Sequence, residues 1–161
     1  MDREIALLLS IIDEAYEKKA WHGPNLRGSL KGVTAETAAW RPARGRHNIR
    51  ELVIHAAYWK YAVRRRLLGE KRGSFPLEGS NWIARASTGS ETDWKKDLRL
   101  LNETHRAMRE AVAGLRARDL SVRTPGSKVT NVRTIFGIAA HDLYHAGQIQ
   151  LIKRLHESRR R

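Results

Sequence analysis

Two of the seven histidines in this 161-residue chain, His141 and His145, stand four residues apart within a helix-like stretch from Thr130 to Leu155. Residues i and i+4 of an α-helix project from one face, so this spacing presents two imidazoles to a single ion. His55 lies midway along another helix-like stretch and can add a third imidazole from a facing helix. Three protein nitrogens with one position left for water or substrate is a catalytic metal pattern, whereas four protein ligands make a structural one. The chain has no cysteine. It therefore forms no disulfide and offers no thiolate ligand, and any thiol in its chemistry must arrive as a cosubstrate.

Helical geometry places these residues inside the fold. With His141 at zero on a wheel of about 100° per residue, Ile152 falls at about 20°, His145 at about 40°, Ile138 at about 60° and Ile149 at about 80°. Tyr144, Leu151 and Leu155 fall on the other side. With His55 at zero, Trp59, Leu52 and Val63 fall at about 40°, 60° and 80°. A buried imidazole needs a partner for each nitrogen, because an unpaired buried polar group costs on the order of 1–3 kcal/mol. Any one of the three, taken alone, reads as a core histidine satisfied by a carbonyl or a tyrosine. Three converging on one interior favour a shared ligand. His22, His47, His105 and His156 lack this combination of placement and spacing and are given no ligand role, although His105 lies on an apolar stripe.

The elements that must position these groups read as helices. Residues 2–20 carry Ile5, Leu8, Leu9, Ile12 and Tyr16 along one stripe. Glycines and prolines punctuate the chain from His22 to His47, with one short helix from Thr34 as N-cap to Ala39. Asn48, with Glu51 three residues on, begins a helix that runs to about Leu68 and carries His55. Lys71 to Thr92 reads as loop, with Trp82 and Ile83 able to dock. A third long helix runs from Thr92 or Asp93 to about Leu115. Pro125 and Gly126 then break the chain before Thr130 or Asn131 caps the last. The expected fold is all-α: a four-helix bundle with long connections and a short extra helix, as one domain over residues 1–161.

Charge offers a competing reading. Lys and Arg number 31 against 17 Asp and Glu, a net charge of +14. From Arg41 to Arg72 ten basic residues face two acidic ones, which raises a nucleic-acid-binding module as an alternative. Arg50, Lys60, Arg64 and Arg65 recur along one helix as a solvated polar face would. Neither helix-turn-helix spacing nor zinc-finger cysteines support specific readout. There is no apolar run of membrane-spanning length, and the first twenty residues, with Asp2, Glu4, Asp13, Glu14 and Glu17, do not resemble a signal peptide. A cytoplasmic protein without membrane partners is expected.

His141-Asp142-Leu143-Tyr144-His145 invites comparison with the H-E-x-x-H metalloprotease helix, but Asp142 stands where that motif has glutamate and the third ligand lies upstream on another helix. A closer likeness is carried by His141 to Ile149 together with Ile49 to Trp59, two segments about ninety residues apart, and by Trp40-Arg41-Pro42. These residues resemble the DinB-like, YfiT-like superfamily of four-helix-bundle metalloproteins, over nearly the whole chain. The resemblance implies a divalent metal, commonly zinc or nickel, on His55, His141 and His145, and often a homodimer. It further implies a small-molecule substrate, with activities such as transfer of a low-molecular-weight thiol, thiol-dependent isomerisation or metal-dependent hydrolysis. Glu51, one turn before His55, and Asp142 and Tyr144, beside the paired histidines, are candidates for orienting ligands or moving protons. A metal-binding bundle without catalytic activity is the remaining alternative.

Overall fold

The structure, a computed structural model, describes residues 2–85, 90–124 and 127–159. Its elements are α1 (Arg3–Tyr16), α2 (Leu26–Ser29), α3 (Ala35–Ala39), α4 (Ile49–Leu67), α5 (Glu91–Ala113), a single 3-10 turn (Ala117–Asp119) and α6 (Asn131–Ser158). Among the described residues there is no strand, and the all-α expectation holds. The break expected at Pro125 and Gly126 lies outside the described residues.

Local chemistry sets the helix boundaries. α4 begins at a reciprocal cap: the Glu51 backbone N–H donates to Asn48 Oδ1 at 2.9 Å, and Glu51 Oε2 accepts from the Asn48 N–H at 3.4 Å. Thr34 and Ser90 cap α3 and α5 with their hydroxyls. α1 stops at Tyr16 rather than near residue 20. The backbone N–H groups of Glu17 and Lys18 both turn back to the Asp13 carbonyl, and the Lys18 ammonium returns to the Asp13 carboxylate at 2.7 Å. The one-turn α2, which the sequence reading treats as connection, follows Asn25, whose side chain accepts from Gly28 N–H and donates to the Lys18 carbonyl.

α4 packs against α5 and α6, and α1 packs against the same two, so the four long helices close a ring around a shared interior. Two apolar clusters fill it. One gathers Tyr16, Leu52, Val53, Trp94, Leu101 and Ile149; the other gathers Ile5, Ile12, Val63, Met108, Val112 and Ile135. Near the junction of these two sets the long helices bury polar residues: Asp13, His55, Lys60, His105, Asp142 and His145. Polar groups thus collect in the middle of the interior.

The expectation that Arg50, Lys60, Arg64 and Arg65 form one solvated face fails for the first two, which are 2% and 0% exposed. Residues 48–57 are buried without interruption, because α3, α5 and α6 surround the first half of α4 and leave it no water-facing side. Arg50 is instead paired with Asp97 of α5 at 2.8 Å, a carboxylate it shares with Arg85, and Lys60 is paired with Asp142 of α6. Tyr144, Leu151 and Leu155 lie on the exposed side of α6, as the wheel requires.

Candidate metal centre

α4 and α6 run alongside each other where His55, His141 and His145 occur, and the three imidazoles meet there. His141 Nε2 lies 3.1 Å from His55 Nε2 and 3.0 Å from His145 Nε2. One ligand atom from each residue falls within 4.8 Å of the others. Three imidazole nitrogens at about 2.0–2.1 Å from a common ion stand about 3 Å apart, so the set is placed closely enough to bind a metal ion.

Hydrogen bonds on the far side of two rings decide what the near side offers. His55 Nδ1 lies 3.1 Å from the Asn81 carbonyl oxygen, which can only accept, so Nδ1 carries the proton and Nε2 of the neutral ring is a lone pair. His145 Nδ1 is 2.6 Å from Gln148 Oε1, and with the amide in this orientation its Nε2 is likewise a lone pair. His141 Nδ1 is buried without a hydrogen-bond partner among the described residues. At most one proton is thus available among three converging nitrogens, and one proton cannot satisfy all of them. A cation can.

Burial keeps the rings neutral. It pulls His55 down to about 4 and His141 down to about 3, helped by the neighbouring imidazoles, and burial also lowers His145. At neutral pH the lone pairs are therefore free for a Lewis acid rather than occupied by protons. Aromatic packing fixes the His55 ring. Trp82 stacks on it with centroids 3.8 Å apart, and His47 stacks on the other indole face at 3.6 Å. A cleft of about 550 Å³ opens beside this stack, lined by His145, Gln148, Trp82, Leu52, Tyr144 and Leu151 among others, with no carboxylate among the described residues of its wall.

The other three candidates are distributed differently. Glu51 is buried, and its carboxylate is held by Arg41, His47 and the Asn48 N–H. Burial alone raises its pKa, but these partners outweigh it and hold the carboxyl below its ordinary range. Glu51 stays anionic and organises Arg41 of the Trp40-Arg41-Pro42 segment, together with the His47 that clamps Trp82. Asp142 points away from the solvent and pairs with Lys60 in the core. Burial pushes Asp142 up and Lys60 down, each shift opposed by the partner's charge. Tyr144 is 64% exposed at the mouth of the cleft, with its ring edge on His145.

Three contributors escape the sequence reading. Gln148 lies three residues beyond His145, a helical neighbour whose role its spacing could have signalled. Asn81, 26 residues from His55 and in a left-handed conformation (φ 58°), carries no such signal; its side chain also accepts from Trp59 Nε1 at 2.9 Å. The Lys60–Asp142 pair hides behind the ordinary appearance of two charged residues on separate helices. His105 and His156, given no ligand role, are both buried, against Tyr16 and Trp40 respectively.

Among the described residues, no helix is long and apolar enough to cross a membrane. No curated protein and no solved structure gives a significant match to the chain. The model of one protein family does match, over residues 20–149, a span that takes in the Trp40-Arg41-Pro42 segment, His55 with its helix, and the His141 to Ile149 segment. An all-helical chain with these elements in this order, matched over most of its length, belongs to the DinB superfamily.

Proposed function

We propose that this protein binds one divalent metal ion, zinc or nickel, through His55, His141 and His145 and acts on a small molecule as a metal-dependent enzyme. The observation that carries this reading is the pair of outer imidazoles, each proton-bearing toward an oxygen acceptor and each directing a lone pair inward. The chemistry that an ion with three imidazoles and an open position supplies is Lewis-acid activation of water or of a thiol at neutral pH. Hydrolysis or thiol transfer are the reaction types this supports, the thiol coming from outside because the chain has none.

The protein's own share is positioning. Asn81 and Gln148 fix ring tautomers, Trp82 holds His55 in place, and the cleft beside His145 offers Leu52, Leu151 and the Trp82 indole as apolar wall. Glu51 and Asp142 are each engaged by a cation, Arg41 and Lys60, which supports positioning roles for them rather than proton transfer with substrate. Tyr144, at the mouth of the cleft, is the remaining side chain of the original candidates that can meet substrate.

The test is elemental analysis of protein purified without a metal-affinity step, beside a His55→Ala, His141→Ala, His145→Ala variant. About one divalent ion per chain in the parent and none in the variant supports the reading, and turnover is then sought with thiols and electrophiles. Parent protein that neither carries an ion nor takes up added zinc or nickel overturns it. A metal-loaded parent without any turnover leaves the non-catalytic alternative.

A further inference from the structure

A second cavity, of about 730 Å³, lies on the other side of the Asn81 segment, and none of the three clustered histidines lines it. Its floor is aromatic. Tyr58 and Phe75 meet edge to face with centroids 5.4 Å apart, Tyr61 lies 5.4 Å from Phe75, and Trp59 completes the wall. Its rim carries Arg65, Arg66 and Arg72 against, among the described residues, a single carboxylate, Glu78.

These arginines are not used up by the fold. The nearby Glu70 carboxylate is taken by Arg64 through two hydrogen bonds, at 2.5 and 2.9 Å, and Arg65 donates to the Glu70 backbone carbonyl rather than to a carboxylate. Arg66 lies over the Trp59 ring at 5.7 Å, and neither it nor Arg72 has a carboxylate within ion-pair reach among the described residues. An adjoining cavity shares Arg65, Arg66 and Arg72 and adds Lys128. Guanidinium groups without carboxylate partners match the fork of a phosphate, and aromatic faces beside them stack on a flat ring.

We propose that this cavity is a binding site for a phosphorylated aromatic small molecule of the nucleotide type, with the phosphate on Arg66 and Arg72 and the ring against Tyr58, Trp59 and Phe75. It accounts for part of the basic excess between Arg41 and Arg72 that the histidine cluster leaves unexplained. A free nucleotide and the end of a single strand present the same chemistry, and a cavity of about 730 Å³ is on the scale of one small-molecule ligand, which favours the former.

Isothermal titration with adenosine 5′-monophosphate, adenosine, inorganic phosphate and a short oligothymidylate tests it. The expected result is saturable one-to-one binding of the monophosphate, at least tenfold tighter than adenosine or phosphate alone. An Arg66→Ala, Arg72→Ala variant with an unchanged circular dichroism spectrum should lose at least tenfold, and Phe75→Leu should weaken the monophosphate while leaving phosphate as it was. The His145→Ala variant, which alters the metal cluster at a residue outside this cavity's lining, should bind as the parent does, which separates this site from the proposed metal centre. No saturable binding, phosphate binding as tightly as the monophosphate, loss of binding in the histidine variant, or a tighter, steeply salt-dependent oligothymidylate would each overturn the proposal.

Discussion

His141 and Asp142 are neighbours on α6 but belong to different polar clusters in the middle of the helix core. Asp142 meets Lys60, an opposite charge, and the Lys60 ammonium also lies 5.0 Å from the Tyr16 ring centroid. His141 meets His55 and His145, two groups of its own kind with nothing of opposite charge between them. The first cluster brings together opposite charges that compensate each other, although Asp142 Oδ1 is buried without a hydrogen-bond partner among the described residues. The second brings together three neutral donors whose lone pairs cannot all be satisfied by protons, which points to a ligand from outside the chain. Burial by itself does not separate a functional site from a structural one; the complementarity of what is buried does.

The largest expected effect breaks the charge-compensated cluster. Lys60→Met strands Asp142 in the core, and removing one partner of a buried ion pair costs about 3–5 kcal/mol. Lys60→Met with Asp142→Leu should recover most of that, because an apolar pair can replace a buried ion pair at little cost. Urea unfolding measures both. Metal content of the double variant should match the parent; a double variant that refolds fully yet loses its ion would show that the clusters are one unit.

Next in size is the response of the histidine cluster to an ion. At a free metal concentration of 100 times Kd the folded state should gain about 2.7 kcal/mol, and a His141→Ala variant should gain far less. Differential scanning calorimetry with added zinc or nickel reads this directly. The sign with pH follows from the lowered values of His55 and His141, about 4 and about 3, against about 6.5 in an unfolded chain. Between those limits the unfolded state binds more protons, so metal-free protein should lose stability as pH falls from about 6.5 toward 4. A flat profile over that window would mean the rings are not held neutral by burial.

Sequence periodicity made the helices legible, because apolar stripes and the Asn48–Glu51 and Thr34 caps are local signals. It placed His55, His141 and His145 on inward faces for the same reason. What it could not supply were facts made by tertiary packing. Arg50 and Lys60 look like surface residues until α5 and α6 bring Asp97 and Asp142 against them. Asn81 sits in a loop without period, and only the folded chain puts its carbonyl on His55. α1 ends early because Asp13 binds Lys18 and Arg109 together, the latter from a helix far along the chain.

Gln148 sharpens the comparison from the ligand side. Replacing it with Leu removes the acceptor that holds the His145 proton on Nδ1, and loss of such a supporting hydrogen bond weakens metal binding about 10- to 100-fold. Competition with a chelating indicator measures it. Stability of the metal-free protein should change little by comparison, since Gln148 is only half-buried. An unchanged affinity would show that Gln148 does not set the tautomer.

His105 offers the smallest and most discriminating effect. It is 2% exposed and stacks on Tyr16 with centroids 3.5 Å apart, yet among the described residues neither ring nitrogen has a hydrogen-bond partner. Burial, reinforced by the Lys60 charge, pulls its pKa down to about 2, so it stays neutral over the whole working range. His105→Phe keeps the stacked ring and removes two unsatisfied nitrogens. The gain in polar satisfaction and the strain of a larger ring oppose each other, and stability at pH 7 should stay within about 1 kcal/mol of the parent. The acid limb should change more clearly: with one fewer histidine that the unfolded state protonates near 6.5 and the folded state does not, the loss of stability below that pH becomes shallower. A variant that loses several kcal/mol at pH 7 would place His105 in a hydrogen-bonded network, and the polar middle of the core would then hold a third cluster with chemistry of its own.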